Sequence, residues 1–309
     1  MANTPNLGKL SFEYLQPADL RRLTHMLFAP RRIIHGRYGG HFATNQRGQS
    51  VEFRDYREYL PGDDVSKIDW KVLGRSDKLF IKLFEHHSEM TVHLLVDASA
   101  SMGYRSATSD HRKNASKYDY ACMMAASIAF LVMKQHDRFG FAISRDGLDE
   151  QIPAQCSMLH LMGILRRMER IRPGGPAGLA EALNAFNRQG SMRNLLVIFS
   201  DLWDDPEGVA KAMAARVHGG GEIVLFHVLH PDEIELPQVE HGVFIDSETG
   251  GRVRLHVSEI RAEYQQKARE FIDAWSRRCR GIGVDYFRAS LSQPYYRLLE
   301  QYLANRASS

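Results

Sequence analysis

The most informative stretch of this 309-residue chain is TVHLLVDASASM, residues Thr91–Met102. Its first half, residues 91–96, is an apolar run with β-branched residues, which predicts a buried strand. The strand runs directly into Asp97-Ala98-Ser99-Ala100-Ser101. Alternate residues of an extended turn can project to one side, so Asp97, Ser99 and Ser101 could present three oxygens to one point.

This pentapeptide has two interpretations. Mg²⁺ takes oxygen ligands in near-octahedral geometry and usually keeps several waters, so three protein oxygens and a distant carboxylate would suffice to hold it. Alternatively, small polar residues after a strand form a turn or cap the next helix. The pentapeptide alone leaves both interpretations open.

The chain after Thr91 alternates between strand and helix patterns. Apolar strands are predicted at 91–96, 138–144, 194–200, 222–229 and 284–289. Helices are predicted between and after them at 115–135, 158–170, 179–187, 207–218, 257–280 and 294–306. Continuous apolar strands separated by helices are typical of a parallel sheet covered on both faces. We therefore predict an α/β fold with a mostly parallel central sheet, and a β-hairpin inserted near 240–256.

Two domains are expected. Residues 89–309 form the α/β domain, and residues 1–88 form a small N-terminal helix/β module that packs on it. This accessory region comprises a basic helix, a Gly- and Arg-rich loop at 36–48 and a β-rich block at 50–85. The block carries charges of both signs in close succession. Ion pairs that join the module to the main domain are the favoured interpretation, and a catalytic carboxylate pair is the alternative.

The N-terminal helix begins near Pro17 and has one strongly basic face. The arginines of this region are Arg21, Arg22, Arg31, Arg32 and Arg37. Such a face is either simply solvated or a docking surface for an acidic partner.

Composition limits the possible classes of protein. Hydrophobic residues make up 44% of the chain and charged residues 25%, as in an ordinary soluble globular protein. A net charge of +3 is too small to predict nucleic-acid binding by itself. The three cysteines match no zinc pattern and indicate free thiols in a reducing compartment. The N-terminus does not resemble a signal peptide, and the longest apolar run, 120–133, is shorter than the about 20 residues of a membrane span. These features predict a cytoplasmic protein.

A second acidic strand end strengthens the metal interpretation. The strand predicted at 194–200 ends at Asp201, and Asp204-Asp205 lie on the same loop. In an open α/β sheet, ligands bind beyond the carboxyl ends of the strands, where neighbouring strands would bring Asp97 and Asp201 together. Two close carboxylates repel each other unless a cation or a proton relieves them. The sequence thus predicts a metal site made of Asp97, Ser99, Ser101 and Asp201.

The region before this site resembles a known family. Its elements are Glu52-Phe53, Asp55-Tyr56-Arg57-Glu58-Tyr59, Pro61-Gly62-Asp63-Asp64 and Ile68-Asp69-Trp70, followed by Asp97-Ala98-Ser99-Ala100-Ser101. Together they resemble the bacterial domain-of-unknown-function family DUF58. The last element also resembles the metal-ion-dependent adhesion site of von Willebrand factor A-type domains.

The resemblance implies an A-type domain of Rossmann-like topology with Mg²⁺ as its possible cofactor. Genes of the family typically lie beside those of MoxR-type AAA+ ATPases, which implies a role in a chaperone-like or cofactor-inserting assembly. In related A-type domains, a carboxylate from the partner protein completes the metal site. The chain departs from this pattern at Gly174-Gly175-Pro176-Ala177-Gly178, because A-type domains usually supply a threonine from this loop. The adhesion site is therefore expected to be degenerate, with weakened metal binding.

The sequence leaves three functions to consider. The preferred prediction is a non-enzymatic interaction module that binds a MoxR-type AAA+ ATPase, a client protein or both. A metal-dependent hydrolase using the crevice of Asp97 and Asp201 is an alternative, but the sequence has no His-rich constellation, no phosphate loop with lysine and no Gly-x-Ser-x-Gly elbow. The other alternative is a nucleic-acid-binding protein that uses its basic N-terminal helix, for which aromatic residues are sparse.

Overall fold

The computed structural model describes residues 12–23, 25, 26, 28, 51–58, 72, 80–86, 90–106, 115–189, 194–245, 247 and 250–307. The chain forms two compact units, one of Met1–Arg31 with Met90–Ser309 and one of Arg32–Glu89. Helix α1, Pro17–Leu23, therefore groups with the larger unit, whereas the expected boundary at residue 88 had placed it in the accessory region. The loop predicted at 36–48, and the charged side chains of the 50–85 block that were expected to pair with the main domain, lie outside the described residues and side chains.

The smaller unit contains an antiparallel pair of strands. These are β1, Val51–Glu58, and β2, Phe80–His86. Their register shifts between Phe53 and Asp55, which marks a bulge or irregularity in the pairing. Strand β1 lies within the β-rich block expected at 50–85.

The larger unit is built on a six-stranded sheet with the order β10-β7-β6-β3-β4-β5. Its strands are β3 (Thr91–Asp97), β4 (Arg138–Ser144), β5 (Leu148–Gln155), β6 (Leu195–Ser200), β7 (Glu222–Leu229) and β10 (Asp285–Ser290). All neighbouring pairs are parallel except β4 and β5. A separate antiparallel hairpin is formed by β8 (His241–Ile245) and β9 (Arg252–His256), within the segment where a hairpin was expected. The predicted α/β fold with a mostly parallel central sheet is confirmed.

Helices cover both faces of this sheet. They are α2 (Lys117–Lys134), α3 (Met158–Arg170), α4 (Leu179–Arg188), α5 (Pro206–His218), α6 (Pro231–Glu235), α7 (Val257–Ile282) and α8 (Tyr295–Ala307). Successive residues of β3 point to opposite faces. Leu94 and Val96 accordingly join the core under α2, α3 and α8, and Leu95 joins the core under α4, α5 and α7. None of the helices in the described part of the chain combines the length and apolar character needed to span a membrane.

Strand β5 was not predicted from the sequence. Its sequence, LDEQIPAQ, contains a proline and has exposed and half-buried residues in partial alternation. It runs antiparallel at the edge of the sheet, where a proline without an N–H is tolerated. An edge strand of this kind lacks the continuous apolar run that identified the buried parallel strands.

Helix α2 begins with a capping box that fixes its first turn. The Asp119 N–H donates to Ser116 Oγ at 3.0 Å, and the Ser116 N–H donates to Asp119 Oδ2 at 2.9 Å. This box places Lys117 at the first position of the helix, where the lysine is completely buried. The orientation of this lysine determines the site described next.

Candidate functional site

The loop after β3 brings together three of the four predicted site residues. Asp97 Oδ1 accepts the Ser99 N–H at 2.9 Å, and the Ser99 and Ser101 hydroxyl oxygens lie 3.1 Å apart. A short 3-10 helix, Ala100–Gly103, continues from this turn. Ser99 is buried and Ser101 is half-buried. These hydrogen bonds hold Asp97, Ser99 and Ser101 together in one turn.

The neighbouring strand β6 adds a second set of polar groups. The pairing of Val96 with Phe199 puts the ends of β3 and β6 side by side, and the Ser200 hydroxyl donates to Asp97 Oδ2 at 2.6 Å. Burial is the main cause that raises the pKa of Asp97 to about 6, and the charge of Asp201 adds to it. Hydrogen bonds from Ser200 and Ser99 oppose this rise. Both carboxylate oxygens of Asp97 are thus occupied by hydrogen bonds from the protein itself.

Asp201 forms an ion pair inside the protein. The Lys117 Nζ donates to Asp201 Oδ2 at 2.6 Å, and the two side chains are 0% and 1% exposed. The Trp203 N–H donates to Asp201 Oδ1 at 3.3 Å. The main-chain oxygen of Asp201 accepts a hydrogen bond from His227 Nε2 at 3.0 Å, if that nitrogen carries the proton. All oxygens of Asp201 therefore have partners within the chain.

A second carboxylate binds the same ammonium from helix α6. The Lys117 Nζ also donates to Glu233 Oε1, and the other oxygen of this carboxylate accepts the His230 N–H at 2.9 Å. Burial by itself lowers the pKa of Lys117, but the charges of Asp201 and Glu233 outweigh it and raise the pKa above its ordinary value. Lys117 is therefore a buried, charged ammonium held between two carboxylates.

The loop at 174–178, where the A-type resemblance leads one to expect a threonine, interacts through its backbone. The Gly174 N–H donates to the Ala98 carbonyl at 2.9 Å, and the Ala100 N–H donates to the Gly175 carbonyl at 3.0 Å. Residues 174–178 contain no hydroxyl side chain. This loop fixes the position of the Asp97–Ser101 turn without offering it a side-chain oxygen.

Asp204 and Asp205 serve as helix caps. Asp204 Oδ2 accepts the Leu179 N–H at 2.6 Å and the Ala180 N–H at 3.2 Å, at the start of α4. This compensates for Gly178, which precedes α4 and has no side chain with which to cap it. Asp205 caps α5 in the same way through its own carboxylate. Both residues are accounted for by helix capping.

The donor set fits a bound Mg²⁺ poorly. In the portion of the chain that the structure describes, no three His, Cys, Asp or Glu side chains are grouped so that they could hold a metal ion. Asp201 is paired with the Lys117 ammonium, and the 174–178 loop provides no hydroxyl. The hydroxyls of Ser99 and Ser101 remain as neutral oxygens, too few for the ligand shell of a hard cation without anionic help.

Sequence reasoning missed Lys117, Ser200 and Glu233. In the sequence, Lys117 is only one residue of the helix predicted at 115–135. One local signal could have identified it, because a cation at the N-terminus of a helix opposes the helix dipole and is unfavourable there. A lysine in the first turn of an apolar helix needs a nearby carboxylate, but the sequence does not indicate which one.

Two exposed aromatic side chains lie on loops at the same edge of the sheet. Tyr104 follows the 3-10 helix after β3 and is 37% exposed, and Trp203 follows β6 and is 49% exposed. The Tyr104 hydroxyl donates to Asp232 Oδ2 at 3.0 Å, and its ring packs edge-on against His230. The Trp203 ring stacks on Phe271 of α7 with centroids 4.7 Å apart.

Comparisons with known proteins place the chain among uncharacterized relatives. It is 28% identical over 284 residues to the uncharacterized protein Rv1480 of Mycobacterium tuberculosis, covering 89% of this chain and 84% of that protein. It is 35% identical over 109 residues to the uncharacterized protein MAV169 of Mycobacterium avium, covering 32% of this chain and 60% of that protein.

A solved structure and a family model also match. The crystal structure of the conserved hypothetical protein BatB from Bacteroides thetaiotaomicron superposes with a TM-score of 0.46 at 16% identity, over 71% of this chain and all of that chain. The model of the family described as protein of unknown function DUF58 matches residues 55–272. The chain therefore belongs to the DUF58 family.

Proposed function

We propose that this chain is a non-enzymatic protein-interaction module of the von Willebrand factor A type. In this proposal, the carboxyl edge of its sheet docks a MoxR-type AAA+ ATPase in a chaperone-like or complex-assembly role. The observation that carries the proposal is the presence of Tyr104 and Trp203, both exposed, on the loops that leave β3 and β6 beside the Asp97–Ser101 turn. Aromatic residues are enriched among the side chains that contribute most to protein–protein binding.

The two aromatic side chains are held in place before any partner binds. Trp203 stacks on Phe271 with an interplanar angle of 9°, and Tyr104 is anchored by its hydrogen bond to Asp232. An anchor that is already ordered loses less conformational entropy on binding than a mobile side chain does. This arrangement supports a preformed docking surface.

The acids at this edge support a non-enzymatic role. Asp97 accepts hydrogen bonds from Ser99 and Ser200, and Asp201 forms an ion pair with Lys117. A general base or a metal-activated nucleophile needs a group that can reach a substrate or hold an activated water. Carboxylates that are buried and occupied by internal partners fit a structural role at the base of the docking surface.

The choice of partner rests on family membership. The resemblance of residues 50–101 to DUF58 proteins, whose genes typically accompany those of MoxR-type ATPases, supports an ATPase of that class as the partner. The A-type assignment is supported by the position of β3 within the parallel sheet and by the Asp97–Ser101 turn at its carboxyl end. In this proposal, Asp97, Ser99, Ser101 and Asp201 form a degenerate adhesion site.

The proposal is tested by calorimetry with the purified MoxR-type ATPase of the same organism. Trp203→Ala and Tyr104→Ala are expected to weaken binding by about tenfold or more, since anchors of this kind contribute well over 1 kcal/mol. Leu159 provides a matched control, because it is 77% exposed and follows β5, which runs back to the opposite edge of the sheet. Leu159→Ala should leave the affinity within about twofold of the wild type.

Two results would contradict the proposal. The first is that both aromatic variants bind the ATPase with the affinity of the wild type, while circular dichroism shows that they are folded. The second is turnover of generic phosphate or ester substrates by the purified chain with Mg²⁺ or Mn²⁺, abolished by Asp97→Ala, which would indicate a hydrolase.

A further inference from the structure

We propose that Lys117 is the resident cation of this site. Its ammonium provides the positive charge that a divalent ion would otherwise bring to the strand ends, so that the crevice does not recruit a metal. The first support comes from the contacts of Lys117. Its Nζ donates hydrogen bonds to the carboxylate of Asp201, which follows β6, and to the carboxylate of Glu233, which lies after β7. A cation that joins two acids from neighbouring strand ends has the role expected of a bound ion.

The second support is that this ammonium cannot readily move away. The Lys117 residue is 0% exposed, and its backbone belongs to the first turn of α2, fixed by the Ser116–Asp119 capping box. Most of the rest of α2 is buried in the core. A surface lysine can swing into water to admit a metal, whereas Lys117 could do so only if the start of the helix also moved.

The third support is electrostatic. A divalent ion bound to Asp201 would lie next to the ammonium in a region sheltered from water, where like charges repel strongly. The metal would also compete with a 2.6 Å ion pair for the same carboxylate oxygen, Oδ2 of Asp201. The Lys117 ammonium thus both satisfies the acid and opposes the entry of a second cation.

The fourth support comes from the remaining oxygens. Asp97 accepts hydrogen bonds at both of its carboxylate oxygens, and the Ser99 and Ser101 hydroxyls are 3.1 Å apart, within hydrogen-bonding distance of each other. These internal bonds hold the turn in its shape without an ion. The inference also implies that the partner binds without a metal bridge. This last part rests on the proposed function.

The test begins with metal titrations that involve no partner. The full chain is stripped with EDTA, dialysed and titrated with Mg²⁺ and Mn²⁺ by calorimetry, and its thermal unfolding is followed with and without millimolar metal. The wild type should show no saturable binding and a Tm shift below about 1 °C, because a ligand that does not bind the folded state does not stabilise it. Saturable binding of one metal ion that Asp201→Asn abolishes would overturn the inference.

The charge is then removed. Lys117→Gln keeps a hydrogen-bond donor without the charge, and Lys117→Met removes both. Each variant leaves two acids without a cation, so metal binding should appear and millimolar Mn²⁺ should raise the Tm by about 5 °C. Lys211→Met, a change at an exposed lysine of α5, should respond like the wild type. If Lys117→Met does not fold, the wild-type titration and Lys117→Gln provide the test. A folded Lys117→Gln variant that neither binds Mn²⁺ nor gains Tm from it would overturn the inference.

A last measurement separates this inference from the proposed function. The affinity for the MoxR-type ATPase should differ by less than about twofold between Mg²⁺ and EDTA, as long as the ATPase is loaded with a nucleotide that it holds under both conditions. Loss of binding in EDTA would overturn the metal-independent docking. A complete lack of binding under both conditions would contradict the proposed partner, and the metal titrations of the chain alone would still decide the role of Lys117.

Discussion

Replacing Lys117 by methionine is expected to destabilise the protein strongly. The side chain is 0% exposed and pairs with Asp201, itself 1% exposed, and with Glu233. Breaking a buried ion pair by removing one partner costs about 3–5 kcal/mol, because the other charge is left buried and uncompensated. Two carboxylates lose their cation here, so we expect a loss near the upper end of this range. Methionine fills most of the space left by the lysine stem, which limits the contribution of a cavity.

Urea unfolding, followed by far-UV circular dichroism, measures this loss as a shift of the transition midpoint. Lys211→Met is the matched control, and at an exposed position it should change stability by no more than about 0.5 kcal/mol. The double variant Lys117→Met/Asp201→Asn should be more stable than the sum of the single losses predicts, by about 1–3 kcal/mol. A loss below about 1 kcal/mol for Lys117→Met, or strict additivity in the double variant, would refute the reasoning.

Three further predictions concern a buried histidine, a helix cap and the cysteines. Burial lowers the pKa of His227 to about 4, against about 6.5 in the unfolded chain, so stability should fall by up to about 3 kcal/mol as the pH drops from 6.5 to 4. Urea titrations across this range should show that His227→Gln weakens the dependence of the unfolding free energy on pH. An unchanged pH dependence would contradict the assignment to His227. Asp204→Ala removes the cap of α4 and should cost about 1–2 kcal/mol in the same assay, whereas a loss within error would exclude the capping role. Among the cysteines, Cys156 is exposed while Cys122 and Cys279 are buried, so a thiol reagent should label one site in the native protein and all three in denaturant. Rapid native labelling at Cys122 would contradict this prediction.

The sheet could be predicted because its strands carry local signals. Strands β4 and β7 have the bounds that their apolar runs indicated, since a strand buried on both faces needs apolar residues at nearly every position. The adjacency of Asp97 and Asp201 followed from the same pattern, because parallel strands end at one edge. The unpredicted strand β5 is the counterexample, since its half-exposed residues and its proline give no such run.

The cation of the site could not be predicted in this way. Lys117 lies 84 residues from Asp201 and 116 residues from Glu233, and only the folded chain brings the three together. The sequence around Lys117 indicates a helix start, which is correct but incomplete. Glu233 belongs to the five-residue helix α6, which is too short to give a periodic signal. Local patterns indicated that Asp97 and Asp201 lie together and that a cation or a proton must relieve their repulsion, while Lys117 and Glu233 depended on contacts distant in sequence.

The most direct test of the central claim, that an ammonium takes the place of a metal, is anomalous diffraction from crystals of the wild-type protein soaked in Mn²⁺. The account predicts continuous density for the Lys117 side chain within about 3 Å of the Asp201 and Glu233 carboxylates, and no anomalous peak beside Ser101. A Mn²⁺ peak about 2.1 Å from oxygens of Asp201 or Ser101, with the Lys117 side chain displaced, would contradict it.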